Sequence, residues 1–238
     1  VRAYFKSKYN PLNLPPNTVR VRTNDGNVPY KSIGSFAEYD TATLVPGTSN
    51  VYDVYKSGTS FWHLMDECNN VTEVLGANTA GITNMQFMFA NCSSLTSVAM
   101  FDTTSVTDMD SMFFECSALT TVPLFDIPNV TVMADMFYYC TSLATVPQFD
   151  TSNVTRMEYM FQGCSSLAAV PLFNTSSATN MRGMFYGCNK VQGGALALYR
   201  QASTQATPPT DHYATFHDCG SDTVTGAAEL AQIPSDWK

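Results

Sequence analysis

The sequence predicts an α/β solenoid, a right-handed coil of short parallel strands and short helices with a 24-residue period. Three observations carry this. Cysteines stand at Cys68, Cys92, Cys116, Cys140, Cys164 and Cys188, one interval of 24 residues five times over. A Met-Phe pair precedes five of them at a fixed offset, from Met88-Phe89 to Met184-Phe185, with Leu64-Met65 in that place in the first unit. A period in the 20–50 range, with residue types that agree as well as spacing, marks an array of stacked supersecondary units.

Within one unit, Met109, Met112, Phe113 and Cys116 fall at i, i+3, i+4 and i+7, one face of a short helix. Thr107 and Asp108 precede it as side chains able to accept from the first free helical N–H groups. After the cysteine, Leu119 and Val122 lead into TVPLF, whose β-branched and aromatic residues suit a strand. FDIPNVT and its copy FDTSNVT then supply turn residues. A single coil buries too little to order itself, so neighbours must share an interior and pair their strands into a parallel sheet. Strands stack more closely than helices, which predicts a curved body with the sheet inside. The Phe at each strand end (Phe101, Phe125, Phe149, Phe173) is expected to form an aromatic spine, and the Met and Phe stripe to be core.

The pattern VTxMxxMFxxCxxLxxVP, written here VTDMDSMFFECSALTTVP, resembles the BspA-like class of leucine-rich repeats. It is also similar to the repeat of unknown function in mycoplasma-type and gut-bacterial surface lipoproteins. The resemblance covers roughly residues 62–191, with a degenerate extension to Cys219, and departs from the general leucine-rich pattern in its Met positions and in Pro inside the strand. It implies a leucine-rich-repeat-like fold, surface display and adhesion, and offers no shared catalytic residues.

Three regions follow. Residues 1–60 do not repeat and read as a β-rich N-terminal cap or attachment segment. Asn17–Thr23 alternates as a strand before the turn Asn24-Asp25-Gly26-Asn27, and SIGSFAEYDTATLVPGTSNVYDVYKSG holds further short strands around the Pro46-Gly47 turn. Arg2, Lys6 and Lys8 on the Tyr-rich start suit docking to an acidic partner. Residues 61–191 are the solenoid, with Trp62 expected at its junction with the cap and its indole N–H partnered. Residues 192–238 form a helical C-terminal cap. There Gly193–Gln205 reads as a helix with Leu196 and Tyr199 on one side, seven extra residues precede Cys219, a last short helix follows, and Trp237 plugs the end.

Charge excludes some functions. Net charge is −8; residues 1–60 hold seven Lys/Arg against four Asp/Glu (+3), and residues 61–238 five against sixteen (−11). An acidic body lacks the basic stripe that nucleic acid requires. No run of 18 apolar residues is present, so no membrane span is expected. No signal peptide is visible, while the start at Val1 is compatible with a processed chain and export. The expected location is extracellular, on a cell surface or on a virion.

The six periodic cysteines read as a structural ladder of buried free thiols that point the same way rather than at each other. His212, His217 and Cys219 have the spacing H-x4-H-x-C, but no fourth zinc ligand is evident. Asp102, Asp126 and Asp150, with Asn78 and Asn174 in register, form a column better suited to bonding local turn N–H groups than to calcium. Catalytic motifs and phosphate loops are absent, so neither enzyme activity nor a cofactor or metal is expected. The NxT sequons at Asn70, Asn129 and Asn153 follow from the repeat's Val-Thr.

Function is left to the sheet face, where positions flanking the strand core vary between coils. The candidate binding residues are Thr121, Pro123, Leu124, Thr145, Pro147, Gln148 and Leu172. Two readings stay open: a non-enzymatic surface-displayed adhesion module binding a protein or glycan, or a structural decoration or fibre protein of a gut-bacterial phage virion anchored through its N-terminal segment to other virion proteins. A homo-oligomer is compatible with either.

Overall fold

A computed structural model describes residues 12–30 and 39–238. The basic start with Arg2, Lys6 and Lys8, and part of the strand-rich stretch after Lys31, lie outside the described residues. Five strands form one sheet in the order β2-β3-β1-β4-β5. They are β1 (Thr18–Thr23), β2 (Thr41–Leu44), β3 (Val51–Tyr55), β4 (Val71–Asn78) and β5 (Ser97–Val98). Two α-helices, α1 (Ala195–Thr204) and α2 (Val224–Leu230), lie near the C-terminus.

The alternating sequence TVRVRT makes β1, whose Val19 and Val21 face the core with no exposure. β2 and β3 form a hairpin through Pro46-Gly47, with Thr48 N–H donating to the Val45 carbonyl at 3.1 Å. β1 lies antiparallel between β3 and β4. The non-repeating segment therefore covers one edge of β4, the strand of the first repeat, and β4 pairs in parallel with β5 on its other side. One sheet thus runs across position 60. Two arginines on β1 reach its neighbours: Arg20 makes a two-pronged contact with Asp53 (2.6 and 2.7 Å), and Arg22 Nε meets Glu73 at 2.9 Å.

Beyond β5 the strands stop, and the cause is proline. In β5's coil, Ala99 N–H donates to the Val74 carbonyl at 2.8 Å. The equivalent positions are Pro123, Pro147 and Pro171, which have no N–H to give. One bond per coil remains there, from Thr120 to Thr96 (3.4 Å), Ala144 to Thr120 (3.2 Å) and Ala168 to Ala144 (3.0 Å). The expected continuous parallel sheet is reduced to its first pair of strands, while isolated parallel bridges continue from coil to coil through Asn84, Asp108, Val132, Arg156 and Asn180.

The expected helix in each repeat is not a helix. Met109 to Cys116 forms two successive four-residue turns, closed by Met112 N–H to Met109 O (3.3 Å) and Cys116 N–H to Phe113 O (3.1 Å). Their third residues, Ser111 (φ 55°) and Glu115 (φ 54°), are left-handed, as type II turns require. The same two columns recur from His63 and Glu67 through Phe87/Asn91, Asp135/Tyr139, Tyr159/Gly163 and Gly183/Gly187 to Ala214/Asp218. Every second N–H is thereby aimed at the next coil: Met109, Ser111, Phe113 and Glu115 donate to the carbonyls of Val132, Ala134, Met136 and Tyr138 at 2.7–3.0 Å. A spacing of i, i+3, i+4, i+7 fits a helical face and a four-residue turn repeat equally well, which is why the periodicity misled while the buried set was right.

With turns in place of helices, no helical side holds the coils apart. Stacked rings lie 5.7, 5.7, 5.3 and 5.2 Å apart along Phe89–Phe113–Phe137–Phe161–Phe185. Along Phe101–Phe125–Phe149–Phe173 the ring centroids lie 5.1, 6.3 and 6.2 Å apart, the first pair tilted by 45° and the others stacked. The spacing mismatch that would have curved the body is missing. Two aromatic spines, not one, fill the interior. Threonines tie the coils further. Thr107, Thr131, Thr155 and Thr179 each donate both N–H and hydroxyl to the carbonyl of the Thr one coil back. Thr107 is therefore an inter-coil donor rather than a helix cap. Asp108 does accept locally, from Asp110 N–H at 3.0 Å.

At the C-terminal end α1 buries Ala195, Leu198 and Ala202, with Leu196 and Tyr199 only partly covered. Trp237 is buried and closes the turn-side spine, stacked on Phe216 at 6.2 Å and edge-on to Tyr199 at 5.4 Å. At the other end Trp62 is 44% exposed against the edge of His63, and Phe61 takes the interior place expected for it.

Candidate functional site

The strand side carries the residues singled out in the sequence. Val122 and Val170 point inward, while Thr121 and Thr145 are exposed and Pro123 and Pro147 half-exposed between coils. Leu124 (51%) and Leu172 (48%) stand out as large apolar side chains in water, in a column with exposed Gln148. Gln148 Nε2 donates to the Leu172 carbonyl one coil on. Two shallow depressions lie here. One of about 280 Å³ is lined by Thr145, Gln148, Ala169 and Pro171. A larger one of about 600 Å³ runs from Gln148 and Leu172 past Asn174 to Gln201 on α1 and Gln205 beyond it. In the latter the α1-side amides are engaged: Gln201 donates to Phe173 O at 2.6 Å and Gln205 to Thr175 O at 3.0 Å. The structure brings all seven predicted residues to one side, and adds a wall from α1 that the repeat pattern did not announce.

The cysteines line the interior. Sγ of Cys92, Cys116, Cys140, Cys164 and Cys188 donates to the carbonyls of Met65, Phe89, Phe113, Phe137 and Phe161 at 3.0–3.1 Å. All seven cysteines, Cys68 and Cys219 included, are buried free thiols. Burial pushes the Cys116, Cys140, Cys164 and Cys188 thiols well up and Cys219 to about 12, so none of these five is primed as a nucleophile. The turn column bonds locally: Asp102, Asp150 and Asn174 each accept from the N–H two residues on, at 2.9, 3.1 and 3.0 Å. Asn78 donates to Leu14 O at 2.8 Å. His212 stacks on Trp237 at 4.2 Å, and His217 stacks on Tyr186 at 4.6 Å beside Asp218. Among the described residues no three His, Cys, Asp or Glu side chains gather as a metal ligand set.

A second surface lies opposite and was not foreseen. The outer positions of the paired turns carry Phe114, Tyr138, Tyr139, Tyr159 and Tyr186. Phe114 and Tyr138 stack at 4.7 Å, while Tyr139 (45%) and Tyr186 (39%) are exposed. Glycines make room: a Cβ on Gly163 would meet the Tyr139 ring at 2.9 Å, and one on Gly183 the Tyr159 ring at 2.5 Å. The signal was present in the sequence. Phe114, Tyr138, Gln162 and Tyr186 share a register outside the buried stripe, and three of the four are aromatic.

No helix among the described residues is long and apolar enough to cross a membrane. No curated protein matches the chain. A leucine-rich repeat protein from Eubacterium ventriosum, known from its crystal structure, is similar over 68% of this chain at 20% identity and a TM-score of 0.45. The chain spans 43% of that protein's length. Two overlapping stretches, residues 59–146 and 120–207, match one family profile and together span more than half of the sequence. The chain belongs to the family described as Mycoplasma protein of unknown function, DUF285.

Proposed function

We propose that the chain is a non-enzymatic binding module, displayed on a cell or virion surface, that takes a protein or glycan along its strand side. The observation that carries this is the pair Leu124 and Leu172, half in water on a scaffold that buries its periodic Met, Phe, Cys and Leu stripe. Exposed apolar side chains beside Thr121, Thr145 and Gln148 give a surface with apolar anchors and polar neighbours, the composition of recognition patches. In this reading the β1–β3 segment caps the first coil, α1 and Trp237 cap the last, and the coils between form a right-handed solenoid.

The test uses fluorescently labelled chain on a glycan array and on intact epithelial cells. A Leu124→Asp/Leu172→Asp variant with an unchanged circular dichroism spectrum should lose binding at least about tenfold, as expected for anchor residues. Equal binding by both proteins overturns the strand-side assignment. A stable trimer by light scattering, or co-sedimentation with phage particles, would instead favour the structural virion role, anchored through residues 1–60.

A further inference from the structure

On the turn side, opposite the strand-side candidate, an open depression of about 480 Å³ is lined by Phe114, Asp135, Tyr138, Tyr159 and Gln162. Three walls are aromatic and one is a carboxylate. Asp135 is half-buried and none of the described residues donates a hydrogen bond to it. Its backbone N–H bonds to the carbonyl of Glu158 one coil on, at 2.9 Å. The Glu158 side chain is only 9% exposed; its Oε1 accepts from Arg156, but its buried Oε2 has no partner. Negative charge is thus gathered beside the pocket by Asp108, Asp110, Asp135 and Glu158, and the two cations nearby are already engaged, Arg156 by Glu158 and Arg182 by the Tyr159 hydroxyl and the Tyr213 ring. Unpartnered carboxylate oxygens in a low-dielectric setting are costly unless a cation satisfies them.

The walls say which cation. A divalent metal ion takes six or more oxygens, and no acidic ligand set is gathered here. Aromatic faces attract ammonium and guanidinium groups, and the chain already uses that chemistry at the edge of the pocket. On the next coil Arg182 Nε donates to the hydroxyl of the pocket's own Tyr159 at 2.8 Å, while its guanidinium lies 5.0 Å over the Tyr213 ring. We propose that the pocket between Tyr138 and Tyr159 receives the ammonium group of a lysine side chain from a partner protein, paired with Asp135. A choline headgroup fits less well, because it would bring a phosphate into a neighbourhood that already holds Asp110, Asp135 and Glu158. Exposed Tyr139 and Tyr186 extend the surface for residues flanking the lysine.

Burial, then Asp110 and Glu158, push the Asp135 carboxyl up to about 6, against Arg156. Other groups at the pocket are Asp108, the Tyr138 and Tyr159 hydroxyls, and Arg182 on the latter. A bound cation is therefore released as Asp135 protonates.

Calorimetric titration with octalysine at pH 7.5 tests the assignment. Asp135→Asn relieves like-charge repulsion and keeps the fold, which circular dichroism verifies. It should weaken binding at least about tenfold, as loss of a partly desolvated charge pair does, and Tyr138→Ala should weaken it less. Asp150→Asn, in the strand-end turn, should bind as the unaltered chain does. Lowering the pH to 5 should weaken the unaltered chain but not Asp135→Asn. Equal affinity of Asp135→Asn and the unaltered chain overturns the proposal, as does equal weakening by Asp150→Asn or displacement of octalysine by millimolar choline chloride. None of these outcomes bears on the Leu124/Leu172 test.

Discussion

Replacing Gly163 with alanine separates the paired turns from the helix that the spacing suggested. Gly163 sits at φ 73°, where an L side chain costs about 1–2 kcal/mol. Its new Cβ would also lie 2.9 Å from the Tyr139 ring, although that ring is 45% exposed and free to swing outward. Against these stands the narrower unfolded ensemble of alanine, worth about 0.4–1 kcal/mol. The net is a loss of about 1 kcal/mol. In a helix the same substitution would stabilise by about 1 kcal/mol, so the two structures predict opposite signs. Urea unfolding followed by circular dichroism reads the difference as a midpoint shift at constant slope. Gly163→Ala in a Tyr139→Ala background removes the ring contact and leaves the backbone cost alone. The converse change, Glu115→Gly at φ 54°, should be neutral to stabilising. A Gly163→Ala protein more stable than the unaltered chain would refute the turn geometry.

The same structure fixes other outcomes. Phe137, stacked between Phe113 and Phe161 at 5.7 and 5.3 Å, should cost about 3–5 kcal/mol on truncation to alanine. It should also split the unfolding transition between probes on either side; a loss under about 1 kcal/mol would contradict a continuous spine. All seven thiols should resist a disulfide reagent in the native protein and react together in denaturant, and fast labelling of any one would show an open coil. Asp135 binds its proton more tightly folded than unfolded, so it lowers stability as pH rises from about 4 to about 6. Thermal melts should therefore show Asp135→Asn more stable than the unaltered chain at pH 7 and level with it near pH 4, and a constant difference across that range would exclude the effect.

How far the sequence reached depended on which atoms decide each feature. Met109, Met112, Phe113 and Cys116 were legible as interior because burial is a property of side chains, repeated unit after unit. β1 was legible from its alternation, and Trp237 from its place after the last coil. The strands failed after β5 through Pro123, Pro147 and Pro171, a defect visible in the sequence whose effect on the ladder needed the partner carbonyl. Trp62 gave up its expected place to Phe61, since two adjacent large residues do not reveal which turns inward.

By itself, then, the sequence determined the 24-residue unit, the set of side chains it buries and the need for neighbours to share them. Only the tertiary structure decided that the segment before each cysteine is a pair of type II turns, because the deciding N–H groups of Met109, Ser111, Phe113 and Glu115 find their acceptors 23 residues away. The same step turned Tyr138, Tyr159 and Asp135 outward into one pocket. Their proximity comes from stacking one coil on the next, which a reading along the chain does not see.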